Sequence, residues 1–195
     1  VSVAGTTVHN EHEAHENGRD LVHVQDLVAS ELTTVLSYGV ARNLGLQWVQ
    51  PLRHLRARIR FEELDGRPLV LPEGDIHHRN ETLVGTGDPW LLAVGGTVRG
   101  PWSFSSRGGV SVPLGRTEEN PFRLGREGLP HQHIQFGTGT WDPLVGLAVG
   151  RRLGAISATL GGVARLPVAT NEHGYRAGPR YSACLTGERP LGAGR

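Results

Sequence analysis

Between residues 102 and 114 the side chains alternate with period two. Trp102, Phe104, Val110, Val112 and Leu114 hold even positions, with Ser106 and Gly108 among them. Ser103, Ser105, Arg107, Gly109, Ser111 and Pro113 hold the odd ones. This predicts a strand with one apolar face and one small or polar face. Neighbouring segments repeat the pattern. Trp90, Leu92, Val94 and Val98 oppose Thr97 and Arg99; Trp141, Val145, Leu147 and Val149 oppose Thr140, Asp142, Gly146 and Gly150. Ile156, Leu160 and Leu166 oppose Ser157, Thr159 and Arg165, and Leu44, Leu46 and Trp48 oppose Gly45 and Gln47. Residues 20–38 fit two patterns. Leu21, Val24, Val28, Leu32 and Val35 form a helical stripe with Asp20 as a cap, but the β-branched content and the alternation of 32–38 favour a strand. With residues 1–8 included, about eight strands are expected, each long enough to cross a bilayer when tilted.

Tight breaks at 39–43, 99–101 and 151–154 separate longer polar stretches at 9–20, 57–84, 115–137 and 169–179. Short and long connections alternate, so an up-and-down sheet would gather the long ones at one end. Outer-membrane barrels have this asymmetry, with short periplasmic turns and long extracellular loops. Arg107 on the polar face adds to the picture: a soluble barrel fills its interior with apolar side chains, whereas a membrane barrel turns them to lipid. Tyr38 and Trp102 lie beside short turns, and Trp90, Trp141 and Tyr181 lie where strands leave long loops, as two interfacial belts require. A β-sandwich with a core of aromatics is the competing architecture.

A repeat supports construction from hairpins. Gly85-Thr86-Gly87-Asp88-Pro89-Trp90-Leu91-Leu92 is similar to Gly137-Thr138-Gly139-Thr140-Trp141-Asp142-Pro143-Leu144. Each stands where a long loop feeds a strand, and each Pro suits a strand start. A phosphate cradle would need a following helix, and the pattern predicts none.

Composition narrows the function classes. The 195 residues fit one domain over 1–195. A net charge of +1, with every basic residue an Arg, offers no basic field for nucleic acid. No apolar run is long enough for a transmembrane helix, which leaves a strand-built membrane protein open. The chain holds no Met and shows no cleavable signal, so a processed or partial chain is expected. The single Cys184 rules out an internal disulfide and is expected to be a buried, inert thiol.

The chain resembles a family of bacterial outer-membrane β-barrels of transporter-like type, similar to the outer-membrane channel proteins found with phenol meta-pathway genes. The resemblance is carried by Ser37-Tyr38-Gly39-Val40 with Leu44-Gly45-Leu46, by 85–92, and by Val112-Pro113-Leu114-Gly115-Arg116-Thr117. It continues through 135–147, Arg151-Arg152-Leu153-Gly154 and His173-Gly174-Tyr175-Arg176-Ala177-Gly178. The order of these pieces is more specific than any one of them. The resemblance implies an up-and-down antiparallel transmembrane barrel of about twelve strands, of which this chain would supply part. It implies outer-membrane localisation, passage of a small solute, membrane lipid as a partner and no catalytic residue. Such barrels tend to finish on an aromatic residue, which this chain lacks.

On that fold Ser103, Ser105, Arg107, Thr140, Asp142, Thr159 and Arg165 are the expected lumen-facing residues. Arg116, Glu118, Glu119 and Arg123 either fold inward as a constriction or pair with one another at the surface. Histidines mark the long connections: His9, His12, His15, His77, His78, His131, His133 and His173. Apart from His173, these are candidate ligands for Zn, Cu or Ni, set against a plain solvated polar loop. Gly125 with His131-Gln132-His133 also matches the first half of a cupin metal motif, without the Glu that should follow or a second half. The alternative function is therefore a soluble β-barrel or sandwich binding a divalent metal, a cupin-like enzyme among the possibilities.

Overall fold

Alternation becomes ten strands in the computed structural model, which describes residues 1–16, 19–70, 80–129 and 133–189. In chain order they are β1 (Ser2–Glu16), β2 (Arg19–Ala41), β3 (Leu44–Glu62), β4 (Pro68–Leu69), β5 (Glu81–Thr86), β6 (Trp90–Arg99) and β7 (Trp102–Ser111). A short helix α1 (Pro121–Arg126) precedes β8 (Asp142–Leu153), β9 (Ile156–Arg165) and β10 (Arg180–Glu188). Eight strands follow one another as β1-β2-β3-β6-β7-β8-β9-β10, while β4 and β5 pair with β3 off this path. The fold is all-β: an antiparallel up-and-down sheet of eight strands curled into an open half-barrel.

The connections β2–β3, β6–β7 and β8–β9 are two residues long, and β3–β6, β7–β8 and β9–β10 are long. The expected alternation is present there. Gly100 and Gly154 take φ of 58° and 64° in two of the tight turns, a left-handed conformation that hairpin turns need and glycine supplies most easily.

The chain forms two compact units. The first comprises Val1–Thr34, Pro51–Gly87 and Gly115–Gly137; the second comprises Val35–Gln50, Asp88–Leu114 and Thr138–Arg195.

Four expectations are corrected. Residues 9–16 and 19–20 are strand, not loop: β1 and β2 pair from Ser2↔Thr33 to Glu16↔Arg19. His9, His12 and the backbone of His15 therefore lie on a strand, because β-branched Val22 and Val24 and the run of cross-strand partners extend the ladder. Helix α1 was not anticipated, although Asn120-Pro121 is an N-cap followed by Pro in the first turn. Asn120 Oδ1 accepts from the N–H groups of Phe122 and Arg123 at 3.0 and 3.2 Å. Cys184 is exposed, not buried, because every residue of β10 is exposed.

The fourth correction concerns β6. Directly paired residues share a face, so Leu92, Gly109 and Leu144 stand in one row across β6, β7 and β8. This row belongs to the inner face, where burial concentrates. Leu92 and Leu144 are buried with Val49, and Trp90, Val94 and Val163 pack around them. The apolar parity of β6 thus turns inward, opposite to that of β7. Trp90 joins this cluster instead of an exposed belt.

Candidate functional site

Six of the expected lumen residues share the inner face of unit 2 by strand register: Ser103, Ser105, Arg107 and Thr159, and beyond them Asp142 and Arg165. Ser103, Ser105 and Arg107 stand opposite Gly150, Ala148 and Gly146 of β8. Gly150 pairs in turn with Thr159. The glycines make room for the polar side chains. A Cβ on Gly146 would lie 2.8 Å from Arg107 Cγ, and one on Gly150 would lie 2.4 Å from Ser103 Oγ and 2.8 Å from Thr159 Oγ1. Arg107 and the two hydroxyls therefore lie across a glycine column on β8. The inner face here is polar because it carries Ser103, Ser105, Arg107 and Thr159, and the facing Gly146, Ala148 and Gly150 are too small to cover them.

Asp142, Thr140 and Arg165 form a different arrangement. Thr140 precedes β8 instead of lying in it, and is 8% exposed; Asp142 is fully buried. Thr140 Oγ1 donates to Asp142 Oδ1 at 2.7 Å. Thr138 Oγ1 lies 2.8 Å from Asp142 Oδ2 and 3.0 Å from Asp88 Oδ2. Its backbone N–H also donates to Asp88 Oδ2 at 2.7 Å. Thr138 Oγ1 carries one proton and faces two carboxylates, so it can donate to one of them at a time. Asn171 Nδ2 closes the cluster by donating to Thr138 O at 3.1 Å. Arg165 Nε stands 4.0 Å from Asp142 Oδ2, the outer limit of an ion pair.

Asp88, Thr138 and Asn171 were not among the sequence candidates. The signal for Asp88 and Thr138 was present in the repeat, which contains both and whose two Asp-Pro steps supply both carboxylates; Asn171 lies outside it. The Gly-Thr-Gly stretches stand two residues closer together than the Asp-Pro steps, and from there on the offset is constant: Asp88 with Asp142, Pro89 with Pro143, Gly100 with Gly154. Val112 N–H donates to Pro89 O at 2.8 Å, and Leu166 N–H donates to Pro143 O at 2.9 Å.

Unit 1 has its own polar centre. Arg53 donates through Nε to Glu31 Oε2 at 2.7 Å and through Nη1 to Phe136 O at 2.8 Å. Phe136 is buried against Gly85, where an added Cβ would lie 2.5 Å from the ring. The β7–β8 connection thus reaches the inner face of β3 and β5 through Phe136. Five of its charged residues pair with each other: Arg116 with Glu118, and Arg123 with Glu119 and Glu127.

Among the described residues the histidines have different partners. His9 Nδ1 lies 2.6 Å from Asp26 Oδ1 on exposed strand faces. His12 Nε2 lies 3.3 Å from Nδ1 of His23, which stacks on Phe61 at 5.3 Å. His23 is 2% exposed and was not a sequence candidate. Burial, with His12 as a second cause, lowers its pKa below 6.5. His133 makes an edge contact with Phe122, and His173 belongs to unit 2. His77, His78 and His131, and the side chain of His15, lie outside the described residues. Among the described residues, no three His, Cys, Asp or Glu side chains are placed to hold a metal ion.

The opposite, outer face of unit 2 is apolar. It carries Leu44, Leu46, Leu91, Trp102, Phe104, Val145, Leu147, Val149, Leu153, Ile156, Leu160, Tyr181 and Leu185, from 40% (Trp102) to 77% (Leu185) exposed. Among the described residues of β6 to β10, the charges on this face are Arg99 and Arg151, both beside two-residue turns. The Arg151 guanidinium lies over Trp102, 4.9 Å from the ring centroid.

No known protein family, curated protein or solved structure matches the chain.

Proposed function

We propose that the chain is part of an outer-membrane β-barrel that passes a small polar solute along its inner face. The outer face of unit 2 carries the proposal. A half-exposed Leu, Val, Ile or Phe forgoes about 1 kcal/mol of burial when left in water, roughly half its full burial energy. Summed over Phe104, Val145, Leu147, Val149, Ile156, Leu160 and Leu185, the loss approaches the about 5–15 kcal/mol net stability of a typical domain. Lipid removes that loss. Strands β6 and β7 have ten residues each and β9 has ten, within the about 9–11 that a tilted membrane strand needs. Trp102 under Arg151 is the side-chain pair expected at a membrane interface.

The inner face then lines the path. Ser103, Ser105 and Thr159 offer hydroxyls, and Arg107 offers a positive charge over a glycine column. No covalent step is involved, and selectivity follows from hydrogen bonding and charge. The test is conductance across a planar bilayer by the chain folded from detergent. Arg107→Ser should change single-channel conductance or ion preference while folded yield stays constant. Clean behaviour as a soluble monomer without detergent would exclude the membrane assignment.

A further inference from the structure

We infer that Arg56 and Arg58, on the outer face of unit 1, dock the phosphate groups of an anionic membrane lipid. The inference rests on the membrane reading above. Along β3 this face carries Leu52, then His54, Arg56, Arg58 and Arg60. Leu52 is 42% exposed, and Val84, directly opposite His54, is 59% exposed. An apolar patch is therefore followed on the same face by a basic row, with successive side chains about 6.6 Å apart at two residues per step.

The charges in this row are not equivalent. Arg60 donates to Asp26 Oδ2 at 2.8 Å and to Glu62 Oε1 at 3.1 Å. Asp26 is shared between Arg60 and His9, so its charge is already compensated. Among the described residues, neither Arg56 nor Arg58 has an ion-pair partner. Both line a surface hollow of about 630 Å³ with Arg60, Asn80, Thr82 and Asp26. Glu81 also borders it, but pairs opposite buried Ala57 and so has the parity of the inner face. Asn80 Oδ1 accepts from Ile59 N–H at 2.7 Å, holding the wall of the hollow against β3.

A guanidinium presents paired N–H donors that match two phosphate oxygens. Two uncompensated arginines beside a hollow suit a phosphate, and the apolar patch next to them suits acyl chains. A lipid carries both parts in that order, whereas free phosphate carries one. Basic residues next to an apolar span are the general means by which membrane proteins hold anionic lipids.

For the test, the full chain is folded into phosphatidylcholine vesicles, extracted in mild detergent and titrated with bisphosphorylated lipid A. Parallel arms use the same lipid stripped of phosphate, and inorganic phosphate. Arg56→Gln with Arg58→Gln should weaken lipid A binding about thirtyfold, with each arginine contributing about equally. Arg56→Lys with Arg58→Lys should retain most of it. The phosphate-free lipid should bind the parent chain no better than lipid A binds the Gln variant. Unchanged lipid A binding by a Gln variant that still enters vesicles overturns the site and leaves the membrane reading standing. Displacement of lipid A by an equal concentration of inorganic phosphate overturns the assignment to lipid. Failure of the parent chain to enter vesicles overturns both.

Discussion

Gly109 shows how one missing side chain organises unit 2. A Cβ at this position would lie 2.0 Å from Leu91 O and 2.9 Å from Leu92 Cα, which are backbone atoms that cannot swing aside. Gly109→Ala should therefore disrupt the β6–β7 ladder and cost about 1–3 kcal/mol or more. Gly187→Ala, with nothing within 4 Å of the added atom, should be neutral by the same measurement of unfolding in denaturant. His23 gives a residue-level prediction for unit 1. β2 has 23 residues, far more than a membrane strand needs, and His23 lies at the end remote from the tight turn, beyond any span. Its folded pKa is lowered by burial first and by His12 second. The folded state then binds fewer protons than the unfolded chain. The stability it contributes is complete above about pH 6.5, the unfolded value, and is lost as pH falls through the lowered folded value. Melting followed by circular dichroism should show this loss, and His23→Leu should flatten it. An unchanged pH dependence in the variant would assign the effect to other groups.

At the scale of elements, the β6–β7 and β8–β9 hairpins are two copies of one design, each opened by Asp-Pro and turned at a left-handed glycine. The two aspartates meet at Thr138, so this residue links the copies. Thr138→Val removes a hydroxyl from between two buried carboxylates and should destabilise unit 2 by about 1–3 kcal/mol. Thr138→Ser keeps the hydroxyl and should stay within about 1 kcal/mol of the parent in the same denaturant titration. Equal losses in both variants would assign the effect to the methyl group and its packing. The repeat was legible in the sequence because Asp-Pro and Gly recur in order. Its consequence was not, since alternation says which residues share a face of one strand and nothing about which loops meet. The β1–β2 extension was missed for a related reason. His9, Glu11, His12 and Glu13 are polar on both strand faces, so hydropathy alternation vanishes there, and a loop and a two-sided polar strand have the same pattern.

For the molecule as a whole, alternation predicted the up-and-down sheet and the glycine-lined polar face of β7 to β9 correctly. It failed for β6, where period two is present but its direction is reversed. Direction is set by register, through the row Leu92, Gly109 and Leu144, and register is not visible in the sequence of one strand. The remaining question at this scale is what covers the outer face, and Leu147 can decide it. Leu147 is 67% exposed near the middle of β8, between Val145 and Val149 on the same face. In lipid, Leu147→Arg should cost about 2–4 kcal/mol, the penalty for a charge facing the bilayer midplane. In water the same substitution removes an exposed apolar side chain and should be close to neutral, within about 0.5 kcal/mol. Leu153→Arg lies beside the tight turn at Gly154 and should cost only about 0–1 kcal/mol in lipid, because the penalty falls toward the interface. Reversible folding into short-chain phosphatidylcholine vesicles, titrated with denaturant, measures all three. A steep difference between positions 147 and 153 requires a depth-dependent medium. Equal, near-zero costs would remove the bilayer from the outer face of unit 2 and, with it, the basis for a path along the inner one.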